Sequence, residues 1–85
     1  MAKYELLIRP SVRKDTKGIA PRDLKKILQR MEALRDDPRP PGCVKLSGLD
    51  YYRVRQGAYR IVYEIADQRL VVVVVKVGHR SGIYR

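Results

Sequence analysis

The chain has 85 residues, nineteen Lys+Arg against nine Asp+Glu, and a formal net charge of +10. That length holds one small domain with a modest core, and that charge argues for a polyanionic partner, either nucleic acid or an acidic protein. A lone cysteine, Cys43 in "RPPGCVKL", excludes an internal disulfide and a cysteine-rich zinc site; there is no 18-residue apolar run to span a membrane, and "MAKYELLIRP" is too short and too charged for a secretory signal, so a cytoplasmic protein is expected.

Residues 3–9, "KYELLIR", set Tyr4, Leu6 and Ile8 against Glu5, Leu7 and Arg9. Period-two alternation of this kind predicts a strand. Pro10 ends it and suits the first position of a short helix through "SVRKDTK", with Gly18 as its C-cap. A second helix follows in "PRDLKKILQRMEALRD", with Pro21 at its first position. Leu24, Ile27, Leu28, Met31 and Leu34 recur at helical spacing and form one apolar stripe, with Lys and Arg opposite. Pro38, Pro40 and Pro41 stop the helix and open a loop.

The second half reads as β. "YYRVRQGAYRIVYEI" breaks at Gly57-Ala58, and glycine in first place suits a two-residue type II′ turn. That turn sets Gln56 opposite Tyr59, Arg55 opposite Arg60, Val54 opposite Ile61 and Arg53 opposite Val62. One face then carries Tyr52, Val54, Tyr59, Ile61, Tyr63 and Ile65. The other carries Arg53, Arg55 and Arg60 with Tyr51, Val62 and Glu64. A three-residue loop would scramble both faces, and burial of an apolar face specifies register strongly. Like charges directly across strands are destabilising, so the arginine face costs stability unless a polyanion offsets it. After a turn at "ADQR", residues 70–77, "LVVVVVKV", show no alternation, which predicts a central strand buried on both faces. The order β-α-α-β-β-β defines an α+β domain spanning residues 1–85, with two helices packed on one face of a mostly antiparallel four-stranded sheet. The closing "VGHRSGIYR" adds His79, Arg80, Tyr84 and Arg85. If the strand ends near the hairpin face, Arg80 joins the arginines and Tyr84 brings a ring suited to stacking a base.

Taken together, "KLSGLDYYRVRQGAYRIVYEI" and "VVVVVKVGHRSGIYR" resemble the RelE toxins of the RelE/ParE toxin–antitoxin superfamily. The Tyr-Arg-Ile-Val-Tyr strand with a terminal Gly-His-Arg and a later Tyr carries the resemblance, and the element order and length agree with it. It implies a type II toxin that enters the ribosomal A site and cleaves mRNA, held in check by a RelB-like antitoxin with a helical wrapping segment. Carried over by position, the catalytic set is Arg53, Arg55, Arg60, Arg80 and Tyr84; Lys45, His79 and Arg85 are expected as further RNA contacts. The implied reaction is attack of the ribose 2′-hydroxyl on the adjacent phosphate, without metal or cofactor. Arg60 and Arg53 would stabilise the phosphate, Arg80 would serve the leaving oxygen and Tyr84 would stack on a base.

There is one departure. The family often has lysines where this chain has Arg53 and Arg55. A guanidinium does not give up its proton at accessible pH, so the group that takes the 2′ proton stays open. Histidine is the side-chain type whose unperturbed pKa lies near neutrality, and His79 is the one histidine, but on an extended chain it points away from its neighbour Arg80. Two other readings use the same residues: a ParE-like inhibitor of DNA gyrase and a catalytically silent RNA-binding module.

Overall fold

The computed structural model describes residues 3–48 and 50–79. In chain order the elements are β1 (Glu5–Ile8), α1 (Ser11–Thr16), α2 (Pro21–Ala33), β2 (Val44–Lys45), β3 (Tyr51–Gln56), β4 (Tyr59–Ala66) and β5 (Val71–His79). The strands form one sheet in the order β1-β5-β4-β3-β2, with β1 parallel to β5 and the other neighbours antiparallel.

The α+β class and the helical layer stand as expected, but the strand count does not. Five strands, not four, are present among the described residues. The additional one, β2, is the dipeptide Val44-Lys45 paired with Arg53 and Tyr52. Two residues are too few to show a periodicity, so the sequence reads only as loop there. α2 also ends earlier than its pattern. The amides of Leu34, Arg35 and Asp36 each reach a carbonyl three residues back, which tightens and closes the last turn.

The core lies between the helices and one face of the sheet. Val12, Ile27, Met31 and Leu34 from the helical layer meet Val54, Ile61, Tyr63, Val72, Val74 and Val77. Fully burying an aliphatic side chain of this size stabilises a fold by about 1.5–3 kcal/mol, against a total margin of about 5–15 kcal/mol. A single large-to-small change here therefore removes much of that margin. Of the α2 stripe, Ile27, Met31 and Leu34 are buried, while Leu28 stays 46% exposed beside half-buried Leu24. Those two residues line an apolar groove of about 400 Å³ with Ile8, Pro10 and Val12.

The helix-to-hairpin loop is fastened to the sheet by polar contacts. The Tyr63 hydroxyl donates to the Pro38 carbonyl at 2.6 Å. The Arg39 guanidinium grips Asp67 with two bonds of 3.2 and 3.0 Å and sits 5.0 Å over the Tyr52 ring. Tyr4 donates to the same carboxylate at 2.9 Å. These two donors hold Asp67 below the ordinary aspartate range, Arg39 contributing most.

β5 is central, as expected, but it is not buried on both faces. Val72, Val74 and Val77 point into the core, while Val71, Val73 and Val75 are only half-buried on a face that no helix of the described residues covers. Strict alternation from Val72 and Val74 would turn Lys76 inward. A bulge prevents this: Val62 pairs with Lys76 and Tyr63 with Val74, leaving Val75 as the extra residue. Val75 and Lys76 thus both lie on the open face, and the pattern resumes with Val77 inside.

Candidate functional site

The open face of the sheet carries the arginines. The β3–β4 register is the one the Gly57-Ala58 turn dictates: Gln56↔Tyr59, Arg55↔Arg60, Val54↔Ile61 and Arg53↔Val62. Gly57 has φ +61, while Ala58 keeps a negative φ, which defines the type II′ geometry. Glycine is required at that first position because a side chain there is strained. All six residues assigned to the apolar face, Tyr52, Val54, Tyr59, Ile61, Tyr63 and Ile65, belong to the core or pack against it.

Across the open face the side chains fall into rows. Arg55, Arg60 and Gly78 form one. Arg53, Val62 and Lys76 form the next, and Tyr51, Glu64 and Val73 the one after. Opposite residues have Cβ atoms about 4.5–5.5 Å apart, and successive rows lie about 7 Å apart along the strands. Arg53 and Arg60 are half-buried, with the Nε of each shielded from solvent, and Arg55 is exposed. Gly78, opposite Arg60, adds no side chain to that row. Three guanidinium groups thus stand on neighbouring strands of one sheet face, and a guanidinium is the side chain whose planar donors match carboxylate and phosphate oxygens.

Two further cations share this face, and the sequence reading missed both. Arg9 follows β1; its amide bonds the Val74 carbonyl at 3.0 Å, and its side chain reaches over β5 to Glu64 at 3.2 Å. Lys76 arrives through the bulge. The Arg9 position was legible only as a strand end, and the Lys76 position depends on one inserted residue.

Two predicted residues lie elsewhere. His79 pairs with Tyr59 and packs edge-on against its ring at 5.7 Å, on the opposite side from Arg60 and Gly78. Lys45 shares a row with Tyr52, again on the helix side of the sheet. Arg80, Tyr84 and Arg85 lie outside the described residues. Among the described residues no three His, Cys, Asp or Glu side chains converge as a metal site, and no helix is long and apolar enough to cross a membrane.

The fold and face together define a small basic α+β protein with helices on one side of its sheet and an arginine-rich surface on the other. The family described as "ParE toxin of type II toxin-antitoxin system, parDE" matches residues 6–84. Toxin RelG of Mycobacterium tuberculosis is 32% identical over 88 residues, covering 96% of this chain and 97% of that protein. The archaeal RelE–RelB complex of Pyrococcus horikoshii superposes with a TM-score of 0.83 at 26% identity, covering 94% of this chain and 98% of the matched one. The intact Escherichia coli RelBE toxin–antitoxin complex gives 0.75 at 26% identity, covering 89% and 95%. The chain belongs to this family: it is a RelE-like toxin of the RelE/ParE superfamily of type II toxin–antitoxin systems.

Proposed function

We propose that this toxin is a metal-independent endoribonuclease that cuts mRNA in the ribosomal A site and so blocks translation in the cytoplasm. The observation that carries the reading is the cross-strand pair Arg55–Arg60 with Arg53 one row away, all on the sheet face opposite the two described helices. The 2′-hydroxyl oxygen bonds to the adjacent phosphorus and loses its proton. The bond to the 5′ oxygen breaks, and that oxygen takes up a proton. The products are a 2′,3′-cyclic phosphate and a free 5′-hydroxyl. Negative charge builds on the phosphoryl oxygens in the transition state, where fixed guanidinium donors stabilise it more than the ground state. Arg60 takes this role, with Arg53 and Arg55 assisting. By the family resemblance Arg80 serves the leaving oxygen and Tyr84 orients a base. His79, placed under Tyr59, faces away from this phosphate position, which argues against it as the base. Positioning by the ribosome supplies part of the rate.

The partner in this reading is a RelB-like antitoxin, as in the solved complexes of the relatives. An acidic helical segment would neutralise the arginine face, so its affinity should fall as salt rises.

Arg60→Ala should reduce mRNA cleavage on programmed ribosomes by about 100-fold or more, the usual cost of losing a donor to developing charge. The reading fails if that variant, with an unchanged circular dichroism spectrum, cuts at the rate of the parent. Cyclic-phosphate ends on the products would separate catalysis from silent RNA binding. The ParE description of the matching family favours a second reading, inhibition of DNA gyrase. A supercoiling assay beside the cleavage assay decides between the two.

A further inference from the structure

The cleavage reading uses neither Arg9, which is paired with Glu64, nor Lys76. Because Val74 and Val77 both point to the core, the bulge throws Val75 and Lys76 together onto the open side. There Lys76 completes the row Arg53–Val62–Lys76, with Val62, 6% exposed, as the floor between two positive groups. Two interstrand steps separate them, about 10 Å at the backbone. The Lys76 side chain is half-exposed, and its ammonium lies 3.8 Å from the Asp15 carboxylate of α1. The other oxygen of Asp15 accepts the Val77 amide at 3.1 Å. That bond anchors the carboxylate at the bulge independently of the lysine. The lysine is therefore held loosely, at the outer limit of an ion pair, where exchange of a carboxylate for a phosphate costs little.

We propose that Lys76 is an additional phosphate contact for the RNA strand, and that Asp15 holds it in competition with that phosphate. This rests on the reading of the same face as an RNA site. Arg53 and Lys76 serve successive phosphates of a strand laid across β4, rather than one phosphate between them. RNA is favoured over an acidic protein because the row lies directly beside the three-arginine phosphate site.

The test is equilibrium binding of a fluorescent single-stranded decamer of 2′-O-methyl RNA, which is not cut, to the free toxin between 50 and 300 mM KCl. Lys76→Gln should weaken binding and make the slope of log affinity against log salt shallower by about 0.7, the value for one phosphate contact on a single strand. Asp15→Asn keeps an oxygen for the Val77 amide and removes the competing charge, so it should bind several-fold tighter. That gain should vanish in the Asp15→Asn/Lys76→Gln double variant, since it acts through the lysine. A parental salt slope in Lys76→Gln, or a gain from Asp15→Asn that survives loss of the lysine, overturns the proposal. So does a Lys76→Gln defect seen with poly-glutamate but not with RNA, which would assign the lysine to an acidic protein. Cleavage by Arg60→Ala on ribosomes is read separately. Loss there with an unchanged Lys76→Gln slope removes only this inference, and the reverse pattern removes only the nuclease.

Discussion

Arg55 and Arg60 face each other across β3 and β4, and the pair should cost the free protein stability. The perturbation is Arg55→Gln, which keeps the length and polarity of an exposed side chain and removes one charge. Two unit charges about 7 Å apart repel by about 0.6 kcal/mol in a water-like medium, and rather more at a lower effective dielectric. Measured cross-strand pair effects span about 0.2–1 kcal/mol, so relief of about 0.5 kcal/mol is the working figure. For a domain of this size that raises Tm by about 2–4 °C at low salt. The gain should disappear near 1 M salt, where the screening length falls to about 3 Å. Arg22→Gln on the exposed face of α2 lowers the net charge equally without touching the pair, and so controls for global repulsion. Thermal unfolding of the three proteins at both salt levels is the assay, with ribosome-dependent cleavage measured alongside. The expected signature is opposite movement: Arg55→Gln becomes more stable and less active. A lower Tm at low salt, or a gain no larger than that of Arg22→Gln, would refute the argument that the arginine face is kept at a cost.

Two further outcomes concern the contacts that fasten the loop. Tyr63→Phe strands the buried Pro38 carbonyl and should cost about 1–3 kcal/mol, read from the urea midpoint at an unchanged m value. Burial raises the Tyr63 pKa well above its ordinary value, so its protonated form supports folding fully below about pH 10 and that support is lost as pH rises further. The Phe variant should therefore lose stability less steeply in alkali. Asp67 behaves with the opposite sign. Its lowered pKa supports folding above the unfolded aspartate value, and the support is lost as pH falls through the folded value. Asp67→Asn should flatten the acid limb of a urea-midpoint profile, and a limb as steep as the parent's would show that the Arg39 and Tyr4 contacts do not hold in solution.

The hairpin was legible because two independent signals agreed on it. Gly57 fixed the turn, and the alternation from Tyr52 to Ile65 fixed which face is buried. The arginines then had only one side to occupy. β5 was legible as a central strand but not as a one-sided one, since identical valines carry no face information. The side on which Lys76 emerges depends on a bulge that no residue type announces. Arg9 escaped notice because its contact with Glu64 spans 55 positions in sequence. β2 is too short to have a pattern, and its pairing follows from the geometry of β3 alone.

Residues 71–75 are five consecutive valines, and such a run has no internal punctuation. Sliding β5 by two positions along β4 would keep β-branched side chains against the core through most of its length. Hydrophobic burial therefore cannot count the strand's reading frame. The frame has to be read from the ends. At one end Leu70, with φ 54, closes the turn from β4. At the other, the carboxylate of Asp15 accepts one particular amide, that of Val77, and the charged Lys76 disfavours the core side. A single hydrogen bond from a six-residue helix thus acts as a start mark for the sheet, distinguishing the strand in frame from its equally greasy neighbours two residues away.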